Sequence, residues 1–104
     1  MAKASFSGRA KADLLSIGEY TLRNWGDAQT VRYLDGLEQD AKLLARNPGI
    51  GRSCDWIRPG LRRFEQGWHI MFYRQAKGGI LVVRILHQSM LPDTQVFEDE
   101  SPGG

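Results

Sequence analysis

The chain has 104 residues, 41% of them hydrophobic and 25% charged, with a formal net charge of +2 at pH 7. A chain of this length can bury one core of two layers, so the composition predicts a single soluble globular domain. The longest mainly apolar run, residues 80–86, is too short to cross a bilayer, and residues 1–9 lack the apolar core of a secretory signal. Cys54 is the single cysteine and cannot form an internal disulfide, which favours a reducing cytoplasm.

Charge is distributed unevenly along the sequence. Residues 1–91 hold 14 basic and 8 acidic side chains, a net charge of +6, because four acidic residues lie in the segment 92–104. Between residues 52 and 87 there are seven basic side chains and only two acidic ones. This half of the chain predicts a basic surface that attracts an acidic protein or a nucleic acid. The alternative is a solvated basic face that has no partner.

The first half of the chain predicts a short strand followed by two helices. Residues 3–6 form the strand, and Ser7 is suited to cap the helix that follows. Gly26 ends this first helix, and the sequence NPGIG ends the second, which runs over about 28–46. Mainly apolar residues recur at helical spacing in both, at Ala10, Leu14, Ile17, Tyr20 or Thr21, and Trp25 in the first, and at Val31, Leu34, Leu37 or Glu38, Ala41 and Leu44 in the second. We expect an antiparallel helical hairpin that needs a sheet to cover its apolar stripes.

The second half of the chain predicts that sheet. Three segments rich in aromatic and β-branched residues, at about 61–65, 68–75 and 80–87, are separated by the turn sequences EQG and AKGG. They form an antiparallel meander with the helical hairpin on one face and the other face left open. The expected fold is α+β, in the order strand, helix, helix and three strands. One domain covers 1–91, and the acidic tail 92–104 is expected to be partly disordered.

A set of four residues is a candidate ribonuclease site. Metal-independent cleavage of RNA needs a base, an acid and cations on the phosphate, and His69, Tyr73, Arg84 and His87 offer such groups. Period-two alternation, however, places Arg84 and His87 on opposite faces of a regular strand, and only a bulge or the strand end would bring them together. No spacing typical of a metal site or a phosphate-binding loop is present, so we expect no metal and no cofactor.

Four motifs carry a resemblance to a known family. They are YT…WG at 20–26, NPGIGR at 47–52, G-x-H-x-x-FYR at 67–74 and RILH at 84–87. In this order and spacing they resemble the ParE branch of the RelE/ParE toxin superfamily, over about residues 6–90. The resemblance implies the toxin of a bacterial type II toxin–antitoxin system, with two helices packed on an antiparallel sheet.

The resemblance also implies a target and a partner. ParE-like toxins are associated with poisoning DNA gyrase, whereas RelE-like relatives cut mRNA on the ribosome. Here His69 replaces the arginine of the nuclease strand motif, residues 88–90 replace its basic residues, and the tail after Pro92 has no Tyr, His, Arg or Lys. These departures favour the gyrase-directed branch, with no catalytic residues. The alternatives are a RelE-like endoribonuclease and a non-toxic relative that only binds an antitoxin.

The partner implied by the resemblance is a short ParD-like antitoxin that folds on binding and forms a hetero-oligomer with the toxin. The antitoxin carries the operator-binding segment, so we expect no direct sequence-specific DNA binding by this chain. Trp56 lies in the loop-like sequence CDWIRPG and is suited to reach a partner. The side chains expected to contact the antitoxin or the target are Trp56, Arg58, Arg62, Arg63, Arg74 and Arg84.

Overall fold

The computed structural model describes residues 2–90 and Phe97. In chain order the elements are β1 (Lys3–Phe6), α1 (Gly8–Arg46), a 3₁₀ turn (Pro48–Ile50), β2 (Arg52–Ser53), β3 (Arg62–Gln66), β4 (His69–Ala76) and β5 (Gly79–His87). The five strands form one sheet on which the helical segment packs. The predicted α+β class is confirmed, and the predicted strands are correct to within one residue at most ends.

Helix α1 is bent back on itself at Gly26. A straight helix of 39 residues would be about 58 Å long, whereas the longest extent of the molecule is 37 Å. Gly26 adopts φ 83° and ψ 178°, which only glycine reaches at low cost, and so divides α1 into an N-terminal arm, 8–25, and a C-terminal arm, 27–46. A Cβ placed on Gly18 of one arm would lie 3.6 Å from the Cδ1 atom of Leu34 in the other. The predicted helical hairpin is therefore present, with its turn at a single residue.

Ser7 fastens the start of α1 to the sheet. Its Oγ accepts a hydrogen bond from the backbone N–H of Ala10 at 3.0 Å, as an N-cap residue does. The same hydroxyl donates to the backbone carbonyl of Val83 at 2.7 Å, and the side chain is fully buried. The cap predicted from the sequence is confirmed, and it also fixes the helix against strand β5.

The sheet has the strand order β1-β5-β4-β3-β2. Strands β3, β4 and β5 form the predicted antiparallel meander. The sequence did not predict the partner of β1, which pairs with β5 in parallel and occupies an edge. The two-residue strand β2 at the other edge was not expected. Neither feature has a local signal, because strands of four and two residues are too short to show which neighbour they pair with.

Both faces of the sheet are covered, so the expectation of an open face is wrong. The core on the helix side contains Ala10, Ile17, Leu37, Ala41, Leu44, Met71, Tyr73, Ile80, Val82 and Ile85. The core on the opposite side contains Cys54, Leu61, Phe72, Val83, Leu86 and Phe97. The loop between β2 and β3 supplies the first two of these, because its apolar side chains are buried when it folds over the sheet. Cys54 is thus a packed core residue.

Phe97 belongs to the segment predicted to be partly disordered, and its side chain is only 6% exposed. Its ring meets that of Phe72 edge-on, with centroids 4.9 Å apart. Partial disorder of the segment stays a prediction. The rest of 92–104 lies outside the described residues.

Two positions of the predicted helical stripes are not buried. Trp25 and Val31 are 63% and 58% exposed, whereas Thr21 rather than Tyr20 takes the buried position of the N-terminal arm. Both exposed residues lie within five positions of Gly26, where the arms turn. Helical spacing identifies one face of a helix, but it does not indicate how far along the helix the sheet extends.

A β-bulge interrupts the pairing of the two central strands. Phe72 lies opposite Arg84 and Tyr73 lies opposite Val82, so Val83 is an extra residue in β5. A bulge of this kind shifts the alternation of side chains by one position. Val82 and Ile85 consequently both belong to the helix-side core although they are three residues apart.

Candidate functional site

A groove of about 720 Å³ opens between the turn of the helical hairpin and the ends of β4 and β5. We call it the aromatic groove. The residues that line it include Tyr20, Trp25 and Tyr33 from α1 and Trp68, His69, His87 and Met90 from the sheet side. It forms because the arms of α1 reach past the last residues of the central strands, so that side chains near Gly26 stand opposite side chains near Gly67.

His69 is a half-buried polar residue of the aromatic groove. Its Nδ1 atom is 2.5 Å from the hydroxyl oxygen of Tyr33, which also accepts a hydrogen bond from the backbone N–H of Trp68 at 3.2 Å. The rings of His69 and His87 meet edge to face, with centroids 5.4 Å apart. Burial, with the neighbouring His87 as a second cause, lowers the pKa of His69 to about 4. His69 is therefore neutral at physiological pH.

His87 is exposed at the mouth of the groove. Its Nδ1 atom accepts a hydrogen bond from the backbone N–H of Ser89 at 3.1 Å and lies 2.8 Å from the Ser89 hydroxyl. With Nδ1 acting as an acceptor, the proton of the neutral ring is on Nε2. His87 therefore offers an N–H donor to a bound partner.

Arg84 forms an ion pair with an acidic residue of α1. Its Nε and one terminal nitrogen donate to the carboxylate oxygens of Asp13 at 2.8 and 2.9 Å, and the backbone N–H of Ile85 donates to the same carboxylate at 2.9 Å. The two side chains are only 12% and 15% exposed. The hydrogen bonds that Arg84 donates to Asp13 raise the pKa of Arg84. This bidentate pair neutralises the arginine within the protein.

Arg84 and His87 keep the alternation that the sequence predicts. Residues 84–87 pair in regular register with residues 72–69, and the bulge at Val83 precedes both side chains, so the two lie on opposite faces of β5. Arg84 bonds to Asp13, which lines the same groove as both histidines.

Tyr73 is placed away from this groove. Its side chain is fully buried, and its hydroxyl donates to the carbonyl of Pro48 at 2.6 Å and accepts from the N–H of Gly51 at 2.9 Å. It therefore holds the turn after α1 against the sheet. The structure thus groups His69 and His87, brings Arg84 near them through Asp13, and separates Tyr73 from all three.

The other predicted contact residues lie outside the aromatic groove. Arg62 donates to the carbonyl of Gly51 at 2.7 Å, and Arg63 lies 3.7 Å from the carboxylate of Glu65. Arg74 donates to the carbonyl of Gln75 at 2.9 Å. Trp56 is 68% exposed and Arg58 is half-buried, both in the loop between β2 and β3. Partner binding by these residues stays a prediction.

A second groove, of about 790 Å³, runs between β1 and the helical hairpin. We call it the β1 groove. Phe6, Leu14, Leu15 and Leu34 contribute its apolar surface, and its basic side chains are Lys3, Lys11, Lys42 and Arg46. Sequence reasoning missed this groove, and it also missed Asp13 and Tyr33. Contacts such as that between Tyr33 and His69, 36 residues apart, leave no local pattern in the sequence.

Within the described part of the chain, no group of three His, Cys, Asp or Glu side chains could hold a metal ion. In the same described residues, no helix is both long and apolar enough to cross a membrane. A helical hairpin on a mostly antiparallel sheet, with two apolar grooves open to solvent, defines a small α+β protein suited to binding other macromolecules.

Comparison with known proteins assigns the family. The family model described as "ParE toxin of type II toxin-antitoxin system, parDE" matches residues 4–92. The chain therefore belongs to the ParE toxin family of type II toxin–antitoxin systems, as the four sequence motifs indicated.

Several relatives share this assignment. "Toxin ParE1" of Mycobacterium tuberculosis is 46% identical over 85 residues, covering 81% of this chain and 87% of the relative. "Toxin ParE1" of Caulobacter vibrioides and "Toxin ParE" of Escherichia coli are each 39% identical, over 81% of this chain and 86% and 82% of their own lengths. A solved structure described as "Chromosomal ParDE TA system from P. aeruginosa" has a TM-score of 0.69 at 20% identity, covering 84% of this chain and 96% of that chain. The last similarity supports the fold alone.

Proposed function

We propose that this protein inhibits DNA gyrase by binding to it, without a catalytic centre of its own, and that a cognate antitoxin neutralises it in the cytoplasm. Membership of the ParE family supports the toxin role. The chemical environment of His69 and of Arg84 favours binding to gyrase over cleavage of RNA.

Cleavage of RNA without a metal needs an acid and a base that exchange protons near neutral pH, and a cation for the phosphate. His69 has a pKa of about 4 and contacts the Tyr33 hydroxyl through Nδ1, so it is poorly suited to donate a proton at pH 7. Arg84 is bound by Asp13, and Tyr73 is enclosed in the core. Of the four candidates only His87 remains accessible, and one histidine does not make an acid–base pair.

The β1 groove suits the antitoxin. The backbone N–H groups of Lys3 and Ser7 bond to carbonyls of the β5 side, so by alternation the peptide groups of Ala4 and Phe6 face the open edge of the sheet. An incoming segment could pair with that edge and place apolar side chains on Leu14 and Leu15. Lysines and Arg46 along the groove favour acidic residues in the incoming segment.

Two parallel assays test the proposal. Purified protein is added to a gyrase supercoiling reaction and to a ribosome–mRNA cleavage reaction, each with and without the antitoxin encoded by the neighbouring reading frame. We expect loss of supercoiling, relief by the antitoxin and intact mRNA. Cleaved mRNA with normal supercoiling would identify a RelE-like endoribonuclease instead. Antitoxin binding with no effect in either assay would identify a non-toxic relative.

A further inference from the structure

Large exposed apolar side chains are concentrated in the aromatic groove. Among the described residues, Tyr20, Trp25, Trp68 and Met90 are 58%, 63%, 52% and 41% exposed, and all four line this one groove. A contiguous apolar patch on a soluble protein commonly marks an interaction site. Aromatic residues and methionine are also the side chains enriched at the centres of protein–protein interfaces. The composition of the groove is therefore that of a protein-binding surface.

The charge of the aromatic groove makes a nucleic acid a poor ligand for it. Among the described residues that line it there is no lysine or arginine, whereas affinity for nucleic acids rests on cations that neutralise phosphates. The one carboxylate in that described lining, Asp13, is satisfied by Arg84 and by the backbone N–H of Ile85. The β1 groove has the opposite character, because its lysines and Arg46 favour an acidic segment. The two grooves therefore suit different partners.

We propose that the aromatic groove is the surface through which this toxin holds its protein target. The occupant is an apolar helix or loop of the target, packed between Trp25 and Trp68, with a carbonyl or carboxylate oxygen accepting the Nε2–H of His87. The volume of about 720 Å³ accommodates several side chains of such a segment. This inference rests on the proposed function, since it assigns the surface that inhibits gyrase.

Alanine variants provide a matched test. Trp25→Ala and Trp68→Ala each remove one exposed ring of the groove, and Leu22→Ala removes an exposed apolar side chain, 49% accessible, that lies outside it on the same arm. Each variant is assayed for inhibition of intact gyrase, for growth arrest on expression, and for binding to the antitoxin as a check of folding. We expect the two groove variants to need about tenfold or more protein for half inhibition. We expect Leu22→Ala to stay within about twofold of the wild type, and all three to bind antitoxin normally.

The outcomes separate this inference from the proposed function. If the wild-type protein arrests growth while gyrase stays active, the proposed function is wrong. The role of the groove can still be tested in that case, by asking whether the two groove variants still arrest growth. Full toxicity of Trp25→Ala and Trp68→Ala, or a loss confined to Leu22→Ala, would overturn the inference. The inference would also be overturned if the groove variants lost antitoxin binding but still inhibited gyrase. A wild-type protein that neither arrests growth nor inhibits gyrase would overturn it as well.

Discussion

At the scale of single residues, His69 connects the aromatic groove with the stability of the fold. Its ring is half-buried, contacts Tyr33 and lies against His87. Protonation would place a charge in this poorly solvated position beside a second imidazole, and this is why its pKa is lowered from 6.5 to about 4.

A pH dependence of stability follows from this shift. Between pH 6.5 and about 4 the unfolded chain binds a proton at His69 that the folded protein resists. The free energy of unfolding should therefore fall as the pH is lowered through this window, and His69 should have no such effect above it. We expect a loss of about 1 to 2 kcal/mol from this group, reduced because solvent screens a partly exposed ring. Urea unfolding of the wild type and His69→Gln at several pH values measures it, and equal slopes for the two proteins would contradict it.

Tyr73 is the residue whose role the structure changes most. The sequence offered it as a nuclease candidate, but its hydroxyl satisfies Pro48 and Gly51 inside the fold. Tyr73→Phe should lower the free energy of unfolding by about 1 to 3 kcal/mol, because a buried carbonyl and a buried N–H lose their partner. Chemical denaturation measures this, with Tyr20→Phe as an exposed control. Gyrase inhibition by the folded Tyr73→Phe protein should be unchanged, and its complete loss would show that the hydroxyl serves function directly.

At the scale of elements, two glycines with positive φ set the course of the chain for different reasons. At Gly26 a side chain would meet nothing within 4 Å, so the helix turn requires only the dihedral angle. At Gly79, with φ 158°, an added Cβ would collide with the backbone carbonyl oxygen of Lys3. That position is where β1 pairs with β5.

The two glycines should respond differently to alanine. Gly26→Ala should cost about 2 kcal/mol, because its φ of 83° with ψ of 178° lies in a region that only glycine adopts readily. Gly79→Ala should cost about 3 kcal/mol or more and separate β1 from the sheet, because backbone cannot move aside as a flexible side chain can. Thermal unfolding ranks the variants, and amide exchange of residues 3–6 locates the damage. Comparable stability of the two variants would count against the contact at Gly79.

At the scale of the whole molecule, the helical hairpin contributes one wall to each of two grooves that differ in charge. Leu15 is 72% exposed on the β1 groove, whereas Leu22 is 49% exposed on the same arm and lines neither groove. Antitoxin and target would therefore meet different parts of the surface, and a substitution in one groove should leave the other partner unaffected.

Leu15→Glu tests this separation. A carboxylate in the apolar floor of the β1 groove should weaken antitoxin binding by about tenfold or more, since it would be buried beside acidic residues of the partner. Calorimetry measures the affinity, and Leu22→Glu is the control. Inhibition of gyrase by the variant should persist in the presence of antitoxin concentrations that silence the wild type. Normal antitoxin affinity for Leu15→Glu would place the antitoxin elsewhere.

Much of the architecture could be predicted because its signals are local. The cap at Ser7, the helix break at Gly26 and the turns before β4 and β5 depend on neighbouring residues, as does the spacing of apolar positions. The four motifs indicated the family for a similar reason, since each is a short run of consecutive residues. The sequence by itself thus determined the class of fold, the order of the elements and membership of the ParE family.

Only the tertiary structure decided how the candidate site is built. The bulge at Val83 arises from the pairing of two strands, the register of those strands places His87 beside His69, and Asp13 of α1 holds Arg84. Burial of the second sheet face depends on a loop and on Phe97, far apart in the chain. Register and long-range packing are settled by the fit of surfaces, which no local pattern records. For this reason only the tertiary structure reveals the aromatic groove, the surface proposed for the target, while partner binding by the predicted arginines stays a prediction.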